Sequence, residues 1–324
     1  MSTTSKKDQA PIRIGSRGSQ LALWQANHIL EALRSAGHAA EIEVIRTTGD
    51  RMQQPGFVPP ADLDGKGIFI KEIEEALAEG RIDLAVHSLK DLPTKLSPRF
   101  TLAAIPKRAD ARDAWVCEPY WGLHTLPMGG RIGTTSPRRK AQILALRPDV
   151  HFVDVRGNID TRLKKLAAGE CDALVLAAAG LDRIGRTEWV HQRFSPDELC
   201  PAPGQGALAI ETRSCSHVLD EARDLYVRQA VTELDDSETR FCVEAERITL
   251  DALGGGCSLP IGAHCIPDFG KWRMFAQVIA PDGESMVQID TEASPSTDAE
   301  TLGRWVAEDL KSKGALDLLA SSIV

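Results

Sequence analysis

Residues 131–179 read RIGTTSPRRKAQILALRPDVHFVDVRGNIDTRLKKLAAGECDALVLAAA and alternate three short apolar runs with two amphipathic runs. The short runs are typical of strands, and the amphipathic runs have the apolar spacing of helices. A strand, helix, strand, helix, strand order predicts an α/β unit with a largely parallel sheet.

The same order occurs earlier in the chain. PIRIGS (11–16) precedes an amphipathic stretch from Ser19 to Ala36, and AEIEVIRT (40–47) alternates like a strand. GIFIKEIEEALAEG (67–80) then predicts a helix, and IDLAVHSL (82–89) predicts a buried strand. Two α/β units of similar size follow from this repetition of pattern.

The C-terminal part has a different pattern. The strand-like ALAIETR (207–213) is followed by long helical patterns and by a glycine-rich loop. Two alternating runs then flank Pro281-Asp282-Gly283, which predicts a β-hairpin, and a helix is predicted from Thr297 to Lys313. These segments predict a small α+β third domain.

The expected domain boundaries follow from these patterns. We predict a discontinuous first domain of residues 1–106 and about 207–230. The second α/β domain is predicted over residues 107–206, and the third domain over residues 231–324. The segment from Thr48 to Asp64 is long for a loop and rich in Pro, Gly and Asp, as functional covers often are. The polar residues 1–9 predict a frayed tail without the apolar core of a secretory signal.

Composition limits the classes of protein that fit. With 43% hydrophobic and 26% charged residues, the chain has a soluble composition, and its short apolar runs predict no membrane span. A net charge of −8 argues against nucleic acid as a general partner. Seven cysteines without paired spacing favour reduced thiols in the cytoplasm over a disulfide framework or a metal site.

Cys257 follows three glycines in LDALGGGCSLPIGAHC. Glycine is a poor residue for helices and strands, and Pro260 breaks a helix, so the thiol is predicted to lie on a loop. A loop cysteine without chemistry is the plain alternative on this pattern alone.

Arginines gather where the predicted strands of the two α/β units end. These are Arg17, Arg138, Arg139, Arg156, Arg162 and Arg183. Ligands of α/β sheets bind at the carboxyl ends of strands, and guanidinium groups pair bidentately with carboxylates. The pattern therefore predicts a site for a ligand with many carboxylates, and the alternative for any single arginine is an ordinary solvated surface residue.

Lys90 and Asp91 follow the strand that ends at HSL. Asp91 is either a turn cap or, among these arginines, a carboxylate that shuttles protons and stabilises a developing cation. His87 is a second candidate base, but on an apolar strand a core histidine is the favoured interpretation.

Eight motifs together resemble the porphobilinogen deaminase (hydroxymethylbilane synthase) family. They are IRIGSRGSQLALWQA, GKGIFIKEIEEAL, HSLKDLPT, IGTTSPRRKAQ, RGNIDTRLKKL, LAAAGLDRIG, PAPGQGALAIE and LGGGCSLPIGAH, spanning about Ile12 to His264. The resemblance implies three domains, of which the first two resemble periplasmic binding proteins and flank the active site. It also implies a monomer.

The implied activity belongs to tetrapyrrole and heme biosynthesis. Four porphobilinogen molecules are joined stepwise, each with loss of ammonia, and water then releases hydroxymethylbilane. Cys257 matches the residue that carries a dipyrromethane cofactor through a thioether. Asp91 matches the catalytic aspartate, with Lys90 beside it.

The resemblance also assigns binding roles. The residues implied to hold the cofactor, besides Cys257, are Lys90, Asp91, Ser136, Arg138 and Arg139. Those implied to bind substrate or the growing chain are Arg17, Ser19, Lys66, Phe69, Arg156, Arg162 and Arg183.

Two other functions fit parts of the pattern. An arginine-lined α/β protein could bind a polycarboxylate anion without catalysis, but such a receptor has no need of the thiol of Cys257. A thiol enzyme with Cys257 as nucleophile lacks an evident histidine partner, since His264 is expected on the following strand.

Overall fold

A computed structural model of the chain describes residues 10–47, 70–256 and 259–320. Over these residues the strands are β1 (Ile12–Ser16), β2 (Ala40–Val44), β3 (Leu84–Ser88), β4 (Phe100–Ala104), β5 (Asp113–Val116), β6 (Arg131–Gly133), β7 (His151–Val153), β8 (Ala173–Ala177), β9 (Gln192–Arg193), β10 (Leu208–Arg213), β11 (Ile261–Asp268), β12 (Lys271–Ile279) and β13 (Met286–Ala293). The α-helices are α1 (Gln20–Ser35), α2 (Lys71–Ala78), α3 (Pro137–Leu146), α4 (Ile159–Ala167), α5 (Ala178–Arg183), α6 (Glu221–Thr232), α7 (Ser237–Ala252), α8 (Ala299–Ser312) and α9 (Ala315–Ala320).

The described residues divide into two compact units. The first takes its residues from Met1–Arg108 and Ala207–Ser237, and the second from Ala109–Gly206 and Glu238–Val324. The three-domain boundaries given above remain a prediction.

The first unit contains a five-stranded sheet in the order β2-β1-β3-β10-β4. β1, β2 and β3 are parallel, whereas β10 runs antiparallel to both of its neighbours. Ile14, Leu84 and Ile210 on the strands pack with Ile29 and Leu33 of α1 in one apolar core. Burial of these side chains supplies the main stabilisation of the unit.

The second unit contains a similar sheet in the order β7-β6-β8-β5-β9. β6, β7 and β8 are parallel, and β5 is antiparallel to both β8 and β9. Trp115, Ile132 and Val175 form part of its buried core. In both sheets, parallel strands thus end side by side at one edge.

A third sheet, β11-β12-β13, is antiparallel and belongs to the second unit. Met274 and Ala276 of this sheet pack against Val306 and Leu310 of α8. The turn between β12 and β13 contains Gly283 at φ 78°, and a Cβ there would lie 2.6 Å from the backbone N of Ala145. Glycine is therefore required at this close approach.

The predicted fold class is confirmed, because two α/β sheets are accompanied by a small α+β region with the predicted hairpin. The sheets are mixed rather than largely parallel. β4, β5 and β9 were not predicted, since each is stabilised by pairing with strands that are distant in the sequence. No helix among residues 10–47, 70–256 and 259–320 has the length and apolar composition needed to cross a membrane.

Candidate active site

A cavity of about 100 Å³ lies in the first unit, beside the ends of β1 and β3. Its polar lining residues are Arg17, Ser19, Gln25, His87, Ser88 and Asp91. It therefore brings together three of the residues predicted to form the site: Arg17, Ser19 and Asp91.

The parallel pairing of β1 with β3 explains this convergence. Arg17 directly follows β1, and Asp91 closes the 3₁₀ turn Leu89–Asp91 that follows β3. Ser19 caps α1, because its hydroxyl oxygen accepts a hydrogen bond from the backbone N–H of Ala22 at 3.3 Å. The side chains that follow two neighbouring parallel strands thus reach the same cavity.

Backbone hydrogen bonds hold the turn that carries Asp91. The N–H of Leu92 donates to the carbonyl of Leu89 at 3.1 Å, and the N–H of Leu89 donates to the carbonyl of Ala207 at 3.1 Å. Asp91 is exposed, whereas Leu89 and Leu92 on either side are buried. The buried leucines fix the turn and leave the carboxylate at the cavity.

Gln25 and Ser88 add an amide and a hydroxyl that we did not select from the sequence. Gln25 is buried on α1, and its Nε2 donates to the Oγ of Ser88 at 2.8 Å. A glutamine on an amphipathic helix has no distinctive spacing, so only the packing of α1 beside β3 could reveal the contact.

A second cluster lies at the start of α3, in the second unit. Ser136 caps this helix with a 3.4 Å hydrogen bond from the N–H of Arg139, and Pro137 occupies the first helical position. Arg138 and Arg139 are both buried in the first turn. Two guanidinium groups are therefore held in a protein interior, which requires a counter-charge.

Asp113 on β5 provides that counter-charge. Its Oδ2 lies 2.7 Å from Nη2 of Arg138, and its Oδ1 lies 2.7 Å from Nη2 of Arg139. Gln205 also donates to Oδ1, at 3.0 Å. Burial alone raises the pKa of the Asp113 carboxyl, but the charges and hydrogen bonds of the two arginines outweigh it and hold that pKa far below its usual range.

Asp113 and Gln205 were not selected from the sequence. Asp113 opens a four-residue strand, and Gln205 lies in PAPGQG, a motif in which we singled out no residue. Because one carboxylate serves two guanidinium groups, the Asp113, Arg138 and Arg139 cluster keeps a net positive charge.

Three further arginines lie in the second unit at different depths. Arg183 is buried and donates from Nη2 to the carbonyl of Gly206 at 2.6 Å, and burial lowers its pKa to about 10. Arg162 donates from Nε to the carbonyl of Gly157 at 2.8 Å. The side chain of Arg156 is 81% exposed, and its Nη2 lies 3.9 Å from Asp154.

Lys66, Phe69 and Cys257 lie outside the described residues, as do the segment from Thr48 to Asp64 and the N-terminal tail. The described residues before Cys257 include the end of α7 and Gly254, at φ 88°. A Cβ on Gly255 would lie 2.6 Å from the carbonyl oxygen of Leu250. Two of the three glycines therefore have a backbone reason to be glycine.

Two family models match most of the chain. The model described as "Porphobilinogen deaminase, dipyromethane cofactor binding domain" matches residues 12–221, and "Porphobilinogen deaminase, C-terminal domain" matches residues 240–312. The chain belongs to the porphobilinogen deaminase family. Its activity is porphobilinogen deaminase activity, a transferase reaction of tetrapyrrole biosynthesis with a dipyrromethane cofactor.

The sequences of individual porphobilinogen deaminases are similar to this chain over nearly its whole length. The porphobilinogen deaminase of Syntrophobacter fumaroxidans (strain DSM 10017 / MPOB) is 44% identical over 95% of this chain and 96% of its own. That of Mycolicibacterium gilvum (strain PYR-GCK) is 46% identical over 95% of this chain and 97% of its own.

Solved structures also align with much of the chain, at low sequence identity. An ABC transporter periplasmic substrate-binding protein from Coxiella burnetii aligns with a TM-score of 0.42 at 13% identity. The alignment covers 71% of this chain and 94% of that one.

Proposed function

We propose that Asp91 is the acid–base group of the deaminase reaction, in which porphobilinogen units are joined head to tail with loss of ammonia. The observation that carries this proposal is the exposed Asp91 carboxylate in a cavity that Arg17 also lines. The carboxylic acid form of Asp91 protonates the departing amino group, and the carboxylate that remains stabilises the cation created by loss of ammonia.

Arg17 and Ser19 bind the substrate in this proposal. Porphobilinogen carries acetate and propionate groups, and a guanidinium pairs with a carboxylate through parallel hydrogen bonds. Arg17 lies in the cavity with Asp91, so it orients the substrate with its amino group toward the carboxylate. Lys90, half-buried beside Asp91, adds a positive charge for the cofactor.

Ser136, Arg138 and Arg139 hold the carboxylates of the dipyrromethane cofactor, which is joined to Cys257. The net positive charge of their cluster with Asp113 fits an anionic group. A guanidinium fork also has more N–H donors than the contacts of Arg138 to Asp113 and Cys200 use. When bound, the cofactor supplies the pyrrole carbon to which the first substrate unit is joined.

Arg156, Arg162 and Arg183, with Lys66 and Phe69, bind substrate or the growing chain in this proposal. The high exposure of Arg156 suits a residue that meets a ligand whose length changes during the reaction. Arg183 is a buried guanidinium whose pKa of about 10 still leaves it charged at neutral pH.

The protein acts as a cytoplasmic monomer in this proposal, as the family resemblance implies. The six described cysteines are free thiols, which suits a reducing compartment.

Stoichiometry and mass spectra test this function. The purified protein should release four ammonia molecules for each hydroxymethylbilane formed from porphobilinogen. With limiting substrate, intact mass spectra should show enzyme species that carry one, two or three added pyrrole units. Binding of porphobilinogen without release of ammonia would favour a polycarboxylate receptor instead.

A further inference from the structure

His87 and Glu211 form a buried pair on adjacent strands. In the antiparallel pairing of β3 with β10, His87 lies opposite Ala209 and Glu211 lies opposite Ala85. The two side chains are therefore diagonal neighbours on one face of the sheet. Nε2 of His87 lies 3.0 Å from Oε2 of Glu211, and the side chains are 8% and 0% exposed.

This pair borders the cavity that contains Asp91. His87 is a lining residue of that cavity, together with Arg17 and Asp91. The burial expected of a core histidine is therefore present, but His87 also lines the cavity proposed to bind the substrate. Because the contact with Glu211 uses Nε2, Nδ1 is the ring nitrogen available to a ligand in the cavity.

The buried carboxylate of Glu211 depends on its contact with His87. Oε1 of Glu211 is buried and accepts no hydrogen bond from the described residues, so the histidine contact is the main support of this carboxylate. A buried carboxylate without such support is costly. The contact therefore fixes the orientation of the ring, with Nε2 toward Glu211.

The other charged groups near the ring come from three elements. Arg17 and Asp91 line the same cavity, from the ends of β1 and β3, and Glu74 on α2 interacts with His87 and Glu211 through its charge. Burial raises the pKa of Glu74, the charge of Glu211 raises it further, and the charges of His87 and Arg99 lower it. Glu74 and Glu211 thus place acidic groups around the imidazole, and Arg17 contributes a positive charge on the side of the cavity.

We propose that His87, held by Glu211, is a second proton-transfer residue of the site, which takes the proton released by the attacking pyrrole carbon. This inference rests on the proposed function of Asp91. Asp91 gives its proton to the amino nitrogen as the C–N bond breaks, and the bonding pair leaves with ammonia. After the C–C bond forms, Nδ1 of His87 accepts the ring proton, and the C–H electron pair returns to the pyrrole. The proton then passes from His87 to the Asp91 carboxylate, which restores both groups.

The test compares His87→Gln with His38→Gln by kcat, pH profile and intact mass. A glutamine amide approximates the position of Nε2 and keeps a donor for Glu211, but it cannot carry the proton. His38 is a matched control, because it is also buried in the first unit and its Nδ1 contacts the Tyr226 hydroxyl at 2.9 Å, yet it is not a lining residue of the cavity. We expect kcat to fall about 10²-fold in His87→Gln and less than about twofold in His38→Gln.

The pH profile separates proton transfer from packing. A base must be neutral to accept a proton. The kcat of the wild type should therefore rise as the pH is raised, and this rise should be absent from His87→Gln. Glu211→Gln keeps the size of the side chain but removes the carboxylate that orients Nε2 of His87, so it should lower kcat with little change in KM or in primer attachment. This second variant also provides a test if His87→Gln folds poorly.

Two results would overturn the inference. One is a wild-type kcat and pH profile in His87→Gln, and the other is an unchanged kcat in Glu211→Gln. The wild-type assay keeps these failures distinct from failure of the proposed function, since an enzyme that releases no ammonia would refute the role of Asp91 itself. Primer attachment in each variant, read from its mass, shows whether the cofactor site has remained intact.

Discussion

Asp113 joins Arg138 and Arg139 through its two carboxylate oxygens, with the Arg138 contact at 2.7 Å and all three residues buried. The residues proposed to hold the cofactor are therefore positioned by a group that no sequence motif marked. A buried pair contributes little net stability, but removal of one partner leaves the other as an uncompensated charge.

Asp113→Asn should therefore lower the free energy of unfolding by about 3–5 kcal/mol, because two buried guanidinium groups lose their counter-charge. Urea unfolding measures this change. Asp172→Asn is the matched control, since Asp172 pairs with Arg131 at 2.7 Å with side chains 33% and 45% exposed, and exposed pairs contribute about 1 kcal/mol or less. Equal small effects from both substitutions would contradict the role given to Asp113.

The same carboxylate predicts a pH dependence of stability. The pKa of Asp113 is lowered in the folded protein, so its contribution is fully present above the unfolded pKa of about 4 and is lost as the pH falls toward the folded value. Urea titrations should show this acid-dependent loss in the wild type. Asp113→Asn should show a weaker dependence between about pH 4 and pH 2.

Much of this fold could be predicted from local signals. α3 is one of the two helices predicted within residues 131–179, and a serine cap and a proline at the first helical position mark its start. The antiparallel strands β4, β5 and β9 could not be predicted, since they are stabilised by long-range pairing rather than by a pattern of their own.

The candidate site shows the same division. Arg17 and Asp91 were found because each follows a strand, and parallel strands bring such residues to one edge. Asp113 and Arg138 are 25 positions apart, and His87 and Glu211 are 124 apart. Their contacts depend on strand order, which residue spacing alone does not determine.

Substitutions of the arginines should block different stages of the reaction. Arg138→Leu and Arg139→Leu should yield protein without the primer, because the acidic rings are no longer held while the thioether forms. Arg156→Leu and Arg162→Leu should keep the primer and accumulate enzyme-bound intermediates, which mass spectra separate. Arg156→Lys should restore elongation only in part relative to Arg156→Leu, since a point charge does not reproduce the guanidinium fork.

Loss of primer in the first pair needs a folding control, because either substitution also removes a partner of Asp113. Near-UV circular dichroism of each variant provides it. Arg131→Leu removes an exposed arginine from the same unit and should keep both fold and primer. Primer on the Arg138 and Arg139 variants, but none on those at Arg156 and Arg162, would reverse the proposed division of roles.

Asp91→Ala should lower turnover by about 10²-fold or more, the usual effect of removing a positioned acid–base group. Steady-state release of ammonia measures it, while fold and primer should survive because buried leucines hold the turn. Asp282→Ala is the control for a carboxylate that only caps a turn, since Asp282 accepts a hydrogen bond from the N–H of Glu284 at 3.0 Å. Turnover of Asp91→Ala within a fewfold of wild type would reduce Asp91 to the same capping role.

The covalent cofactor on Cys257 is the central claim, and the intact mass of the purified protein tests it most directly. The native protein should weigh more than its sequence by two linked pyrrole units, and Cys257→Ala should be folded, inactive and without the added mass. A native mass equal to that of the bare chain, in protein with full activity, would contradict the account.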